Sequence, residues 1–245
     1  ALPAGGAMAS IGAPAQKVEA VLDELYLKAT VNIAAINTPT QTVISGDGEG
    51  VREALERFES DGIQGRPLVV SHAFHSPLMD PVLKGFALIA KSITYSMPTM
   101  PLISNVSGKL AGAEITTADY WVEHIRKPVV FCDGIQWAIE DGAKLFIEIG
   151  PHPVLCSLGT QCAPDNDDLT WLPSLRDKKP EWEVLVSAIG QVHCEGKDID
   201  WNCFFKGVGT KTVLLPTYAF DRKRFWLDGR KASGGLLPGL KESSN

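Results

Sequence analysis

Residues 68–81 read LVVSHAFHSPLMDP, an apolar run that ends in two histidines on either side of an Ala-Phe pair. The apolar residues 68–70 predict a buried strand, and Pro77 or Pro81 predicts the start of a helix, because proline fits the first helical turn. His75 is therefore expected at a strand-to-helix turn, where the backbone can hold an imidazole that still reaches a cleft. An imidazole titrates near neutral pH and is the usual general base for an oxygen or sulfur nucleophile.

Upstream of this stretch, short strands alternate with amphipathic helices. Apolar residues at helical spacing follow Pro14 and recur around Val51, and runs typical of strands occupy residues 8–11, 31–36, 41–45 and 67–71. The order is strand-helix-strand-strand-helix-strand, which is the split βαβ arrangement of ferredoxin-like domains. The pattern predicts such a domain between residues 7 and 71.

Downstream of His75 the alternation becomes longer. Helices are predicted at residues 79–91, 119–126 and 133–140, and strands at 102–106 and 145–149. Helices that alternate with buried strands indicate a mostly parallel α/β sheet. These strands are too few for a complete doubly wound sheet, so further strands are expected in polypeptide upstream of Ala1.

The last third of the chain has a different composition. Residues 164–168 predict a polar loop, residues 182–189 another amphipathic helix, and residues 214–226 read LLPTYAFDRKRFW. An extended segment with this many aromatic residues usually packs against another surface, because exposed aromatic rings are unfavourable in water. Residues 232–245 are rich in Gly and Ser and predict a flexible tail.

The composition excludes several classes of protein. The chain has 245 residues, 44% of them hydrophobic, and a net charge of −6, which disfavours a nucleic-acid partner. No run of 18 apolar residues predicts a membrane span, and the N-terminus has no secretion signal pattern. The five cysteines form no Cys-x-x-Cys pair, and their odd number favours reduced thiols and a cytoplasmic location.

Two interpretations that involve no acid-base chemistry compete for the histidine pair. A half-buried histidine is often only a packed side chain, so His72 and His75 could serve the fold alone. A metal-dependent hydrolase is disfavoured, because His-x-x-His on a turn lacks helical i, i+4 spacing and a nearby Cys or carboxylate ligand. No metal site is predicted.

The run HAFHSPLM at residues 72–79 resembles the segment around the catalytic histidine of malonyl-CoA:acyl-carrier-protein transacylases, in particular the acyltransferase domains of modular type I polyketide synthases. Further motifs of that family follow in the same order, up to the LPTYxFxRxRxW pattern at residues 215–226. The resemblance implies an α/β fold with a ferredoxin-like small subdomain, part of an α/β-hydrolase-like large subdomain, and an extended linker.

The resemblance also implies a division of the chain into segments. They are the end of an upstream large-subdomain segment at residues 1–6, the small subdomain at 7–71, the C-terminal part of the large subdomain at 72–163, the post-acyltransferase linker at 164–231 and a flexible tail at 232–245.

The family implies roles for individual residues. His75 matches the general base, which accepts the proton of a serine and later that of a thiol. His124 matches the position whose main-chain carbonyl orients that base. Phe74, His72 and Asn37 match substrate-binding positions. Domains that load malonyl typically read HAFH here, whereas those that load methylmalonyl read YASH, so the phenylalanine implies a preference for malonyl.

The family transfers a malonyl group from malonyl-CoA to the phosphopantetheine thiol of an acyl carrier protein, through a serine in a Gly-x-Ser-x-Gly motif. That motif does not occur in these 245 residues. The chain is therefore expected to supply the base, to depend on an upstream acyltransferase segment for the serine, and to be inactive alone. It is expected to bind no cofactor, with a ketosynthase and a carrier protein as partners. The alternative is a non-catalytic docking module for those two partners.

Overall fold

A computed structural model describes residues 3–209, 211, 213–221 and 223. The chain divides into two compact units, Ala1–Ile199 and Asp200–Asn245. The described strands of the first unit are β1 (Gly6–Ile11), β2 (Val31–Thr38), β3 (Gln41–Asp47), β4 (Gly65–Pro67), β5 (Leu145–Glu148) and β6 (Thr170–Pro173). Its helices are α1 (Ala15–Glu24), α2 (Gly48–Ser60), α3 (Asp80–Ala90), α4 (Ala118–Arg126), α5 (Phe131–Glu140), α6 (Val154–Cys162) and α7 (Glu181–Cys194). None of the described helices is long and apolar enough to span a membrane.

The first four strands form an antiparallel sheet in the spatial order β2-β3-β1-β4. Helices α1 and α2 connect β1 to β2 and β3 to β4, so the observed order of elements is the one that the sequence predicted. Sheet and helices enclose a core of side chains that are almost fully buried, chiefly Ile11, Val18, Leu22, Ile44 and Phe58. Removal of these apolar side chains from water supplies the main free energy that holds the two helices on the sheet.

Helices α5 and α6 of the first unit pack against β2 of this sheet. Val129, which lies between α4 and α5, makes a parallel bridge with Ala35 of β2. Its N–H donates to the Ala34 carbonyl at 2.8 Å, and its own carbonyl accepts the N–H of Ile36 at 2.8 Å. Strands β5 and β6 form a separate parallel pair. The parallel arrangement predicted downstream of His75 is thus present as two strands among the described residues.

Two predicted strands are wrong. Strand β4 ends at Pro67, which has no N–H to donate, and only Leu68 continues the pairing through an N–H bond to Met8 at 2.9 Å. The side chain of Val69 is fully exposed, so residues 68–70 are not a buried strand. Residues 102–106 form only an isolated bridge from Ile103, because the Ser104 hydroxyl accepts two following N–H groups and turns the chain.

The segment predicted as the beginning of the linker belongs to the first unit. Residues 164–199 contain β6 and α7, and the compact unit extends to Ile199. The Trp171 ring of β6 stacks on Phe146 of β5 with centroids 4.2 Å apart. It also lies over Gly159 of α6, where a Cβ atom would overlap it. Strand β6 therefore packs within the first unit.

The second unit contains one short helix, α8 (Trp201–Phe204), among its described residues. Asp200 caps it by accepting the N–H of Cys203 at 2.9 Å. Residues 213–221 have no regular secondary structure, and the side chains of Leu214, Tyr218 and Phe220 are exposed. Arg222 and the last three residues of the predicted aromatic motif lie outside the described residues, as does the predicted flexible tail at 232–245.

Gly6, the first residue of β1, allows the sheet to contact the segment that carries His75. A Cβ atom on Gly6 would lie 2.7 Å from Ala73 Cβ and 2.9 Å from Leu78 Cδ1. Real Cβ atoms do not come this close to other carbon atoms. The bare backbone of Gly6 therefore sets the distance between the sheet and residues 73–78.

Replacement of Gly6 by alanine is expected to lower the free energy of unfolding by about 1–3 kcal/mol, because the segment 73–78 must move to admit the methyl group. The midpoint of urea unfolding measures this loss. The matched control is Gly85→Ala in α3, where a Cβ atom meets nothing within 4 Å. Alanine is expected to stabilise that exposed helical position by about 0.5–1 kcal/mol. Equal midpoints for Gly6→Ala and the unmodified chain would contradict the expectation.

Candidate active site

His75 lies in the short segment between β4 and α3, immediately before a single 3₁₀ turn at Pro77–Met79. The fully buried Ser76 caps that turn, since its hydroxyl donates to the Ala73 carbonyl at 2.6 Å and accepts the N–H of Leu78 at 3.2 Å. The strand-to-helix position predicted for His75 is observed.

The backbone of His75 has a φ of 60°, in the left-handed region that residues with a Cβ atom rarely adopt. Such a conformation costs about 1–3 kcal/mol and persists only where the surroundings impose it. Here Ser76 holds the chain on the C-terminal side and the packing against Gly6 holds it on the other. The fold therefore keeps the imidazole in one orientation at a cost in backbone energy.

The imidazole Nδ1 of His75 lies 2.8 Å from the main-chain oxygen of Lys127. A carbonyl can only accept a hydrogen bond, so Nδ1 carries the proton and donates it. In the neutral ring this leaves the Nε2 lone pair free to accept a proton from another group. The hydrogen bond thus selects the tautomer that a general base requires.

The main chain of His124, which was predicted to orient the base, acts on the His75 ring as the weaker of two main-chain partners, and the contact at 2.8 Å is with Lys127. Lys127 follows the last residue of α4 and precedes Pro128, and its ψ of 150° is the extended conformation that a following proline favours. The carbonyl of Lys127 therefore leaves the helical direction and is available to His75. The pairing of Val129 with β2 fixes the chain immediately after Pro128.

Burial lowers the pKa of the His75 imidazole below its ordinary value of 6.5. The hydrogen bond to the Lys127 carbonyl raises the pKa in the opposite direction, the His124 side chain lowers it, and the His124 main chain adds a smaller increase. Burial is the largest of these influences. The ring is therefore mainly neutral at pH 7, which is the state of a general base before it accepts a proton.

The ring of His124 lies beside that of His75, with centroids 6.4 Å apart. Tyr120 and Trp121, both on α4, each place a ring centroid 6.1 Å from His124. Two of the predicted site residues are thus brought together. The side chain of His124 acts on His75 as a neighbouring ring and a potential positive charge.

The side chains of Phe74 and His72 contact each other edge to face, with ring centroids 6.1 Å apart. Phe74 is 41% exposed and directly precedes His75 in the sequence, so its ring is accessible. Ala73 between them is buried and anchors the segment. The buried Ala73 thus separates two ring side chains that are both more exposed than it is.

Asn37 is the next-to-last residue of β2, and the turn begins only after Thr38. Its main-chain oxygen accepts a hydrogen bond from the thiol of Cys162 at 3.3 Å. Burial raises the pKa of Cys162 to about 12, and it also raises the pKa of Cys132, whose thiol contacts that of Cys162. Within the described part of the chain, no group of three His, Cys, Asp or Glu side chains could hold a metal ion.

Comparison with known sequences identifies the family of this chain. Residues 2–199 match the family described as "Acyl transferase domain". The chain belongs to the acyl transferase domain family.

The relatives of this acyl transferase domain are polyketide synthases. It is 39% identical over 241 residues to "Polyketide synthase GfsB" of Streptomyces halstedii, an alignment that covers 96% of this chain and 4% of the relative. The acyltransferase domain from the second module of the salinomycin polyketide synthase has a similar structure, with a TM-score of 0.82 and 40% identity over 90% of this chain and 51% of that one.

A second similar structure is a malonyl-transacylase, PlMCAT, in complex with the type II acyl-carrier protein AntF. The TM-score is 0.68 with 26% identity, over 78% of this chain and 60% of that one. The chain therefore spans about half of the solved acyltransferase structure that it resembles, and a small part of the synthase.

The titration of His75 tests its environment directly. Because burial lowers its pKa, the midpoint observed by NMR is expected below the ordinary 6.5, and the His75→Gln variant identifies the resonance. In the unfolded chain the ring keeps its ordinary pKa, so the unfolded state binds the proton more tightly. The stability linked to neutral His75 is then complete above pH 6.5 and is lost as pH falls from 6.5 through the folded-state pKa. A midpoint at or above the ordinary value would contradict this account.

Proposed function

We propose that this chain is part of a polyketide synthase acyltransferase that moves a malonyl extender unit from malonyl-CoA to the phosphopantetheine thiol of an acyl carrier protein. The observation that carries the proposal is the bond from His75 Nδ1 to the Lys127 carbonyl at 2.8 Å. It holds a neutral imidazole with its Nε2 lone pair free, and the exposed ring of Phe74 directly precedes it in the sequence.

The reaction has two half-reactions in a ping-pong sequence. Nε2 of His75 accepts the proton of a serine hydroxyl as its oxygen attacks the malonyl thioester, and the protonated ring then gives that proton to the departing CoA thiolate. In the second half Nε2 accepts the proton of the carrier thiol, the sulfur attacks the malonyl-serine ester, and the proton returns to the serine oxygen. The Lys127 carbonyl stabilises the imidazolium in both halves, as a carboxylate does in a serine triad.

We infer that the serine comes from polypeptide outside the 245 residues. In support, the chain covers only 51% of the salinomycin acyltransferase domain. Several large apolar side chains are also exposed around the end of β5 and the start of α6, notably Ile147, Ile149 and Val154. An apolar patch of this kind usually marks a surface that another segment covers.

We also propose a subdivision of the chain. Residues 7–71 are a ferredoxin-like small subdomain, residues 1–6 the end of an upstream large-subdomain segment, and residues 72–163 its C-terminal part. The antiparallel order β2-β3-β1-β4 with two helices on one face supports the first assignment. Residues 164–231 are assigned to the post-acyltransferase linker and 232–245 to its flexible tail, although 164–199 pack within the first unit.

A second candidate is a non-catalytic docking module. The exposed apolar side chains at residues 213–221 favour a surface for another domain, which we propose is a ketosynthase. The carrier protein in complex with PlMCAT supports a carrier protein as the other partner. Both partners suit the acyltransferase as well, so the two functions differ only in whether His75 takes part in chemistry. No cofactor is needed in either case, and a cytoplasmic location stays a prediction from the reduced thiols.

Malonyl transfer is tested with the chain alone and with the chain joined to the preceding polypeptide that we propose. Only the longer polypeptide is expected to form a malonyl adduct with malonyl-CoA, observed by intact mass. His75→Ala is expected to slow its formation about 10²–10⁴-fold, because the general base is lost. His152→Ala, at an exposed histidine of the loop before α6, is the control. An adduct on the chain alone, or full activity of His75→Ala, would refute the proposal.

The choice of extender unit is proposed to depend on Phe74, whose ring narrows the space beside the base. Phe74→Ser in the longer polypeptide is expected to reduce the preference for malonyl-CoA over methylmalonyl-CoA about tenfold or more, since one methyl group is worth about 1–3 kcal/mol. Competition between the two thioesters measures this ratio. Phe86→Ser, at a phenylalanine with 36% exposure against 41% for Phe74, is the matched control. An unchanged ratio in Phe74→Ser would show that the ring does not select the acyl group.

A further inference from the structure

An ion pair joins the beginning of α3 to the end of α4. Nε of Arg126 donates to Oδ1 of Asp80 at 2.7 Å, and the two side chains are 29% and 56% exposed. Asp80 is the first residue of α3, and Arg126 is the last residue of α4. Each charge is also favourable at its own helix end, because a helix carries partial positive charge at its N-terminus and partial negative charge at its C-terminus.

The same two segments are joined a second time by the hydrogen bond of the candidate base. His75 lies five residues before Asp80, and Lys127 follows Arg126 directly. The bond from His75 Nδ1 to the Lys127 carbonyl at 2.8 Å therefore runs beside the ion pair. Separation of α3 from α4 would stretch both contacts together.

The N–H of Lys127 still donates to the Glu123 carbonyl of α4 at 2.7 Å, whereas its ψ of 150° turns its own carbonyl away from the helix. That carbonyl is therefore held only through its neighbours along the chain. On one side of Lys127, the N–H of Val129 is bound to β2. On the other side, the nearest contact to another segment is the ion pair of Arg126 with Asp80. The carbonyl is thus held from both directions along the chain.

We propose that Asp80 and Arg126 are positioning residues for the candidate base. Their ion pair holds α3 against α4, so that the Lys127 carbonyl stays on Nδ1 of His75 and the Nε2 lone pair stays free. The catalytic meaning of this arrangement rests on the proposed function, whereas the restraint itself is a property of the described chain and can be measured without any acyl transfer.

The test measures the imidazole of His75 in the full 245-residue chain by ¹⁵N NMR in mildly alkaline buffer, where the ring is neutral. The exchange rate of the Nδ1 proton with water reports how often its hydrogen bond opens. In Asp80→Asn and in Arg126→Gln this rate is expected to rise about two- to fivefold, the effect of losing a partly exposed ion pair. Nitrogen chemical shifts are expected to move towards the Nε2–H tautomer. Arg126→Lys keeps the charge and is expected to give a smaller rise.

The matched control is the ion pair between Arg57 and Glu24, which joins α2 to α1 and has exposures of 35% and 56%. Glu24→Gln removes a comparable contact far from His75 along the chain, and it is expected to leave the Nδ1 exchange rate unchanged. Amide spectra verify that each variant is folded. Equal exchange rates in the unmodified chain, Asp80→Asn and Arg126→Gln would overturn the proposal, and so would an equal rise in Glu24→Gln. If Nδ1 exchange responds as expected but the longer polypeptide forms no malonyl adduct, the proposed function fails and the positioning role stands.

Discussion

One hydrogen bond, from His75 to the main-chain oxygen of Lys127, which lies 52 positions later, determines which tautomer the candidate base adopts. A free imidazole exchanges between two tautomers, and only an acceptor held on Nδ1 keeps the lone pair on Nε2. Because this acceptor is a main-chain oxygen, no side chain identifies it. Its position depends on the proline that follows Lys127, on the pairing of Val129 with β2 and on the cap that Ser76 provides. This bond links the loop of His75 to the segment after α4, which is itself paired with β2.

The sequence predicted the antiparallel sheet well. Residues 7–60 carry strong periodicity, because each helix buries one face on the sheet and each strand is bounded by Gly, Pro or a polar turn. The periodicity of each helix and strand, taken separately, was enough to predict this sheet. It failed at residues 68–70, where an apolar run implied burial and the chain instead exposes Val69 beyond a proline that ends the pairing. An apolar sequence shows that a surface avoids water, and does not show which segment covers it.

In the candidate site, too, the sequence predicted some features and missed others. The HAFHSPLM run located His75, and the resemblance of that run to a known family supplied a role for it. The main-chain oxygen that orients the ring was assigned to His124, whereas the contact at 2.8 Å is with Lys127, three residues later, and the His124 main chain contributes more weakly. The Lys-Pro sequence was a usable signal, since a residue before proline leaves the helical conformation and frees its carbonyl. The contact between Asp80 and Arg126 had no such signal, because residues 46 positions apart meet only through the packing of α3 on α4.

The buried cysteines have a chemical consequence for the proposed transfer of acyl groups. Burial raises the pKa of Cys156 to about 11 and that of Cys162 to about 12. At neutral pH such thiols are almost entirely protonated, and the protonated form is a weak nucleophile. An activated acyl group would therefore find little competition from these sulfur atoms. At Cys156 and Cys162, low reactivity towards acyl groups and alkylating reagents is expected from the packing of the side chains, whereas Cys194 and Cys203 are exposed.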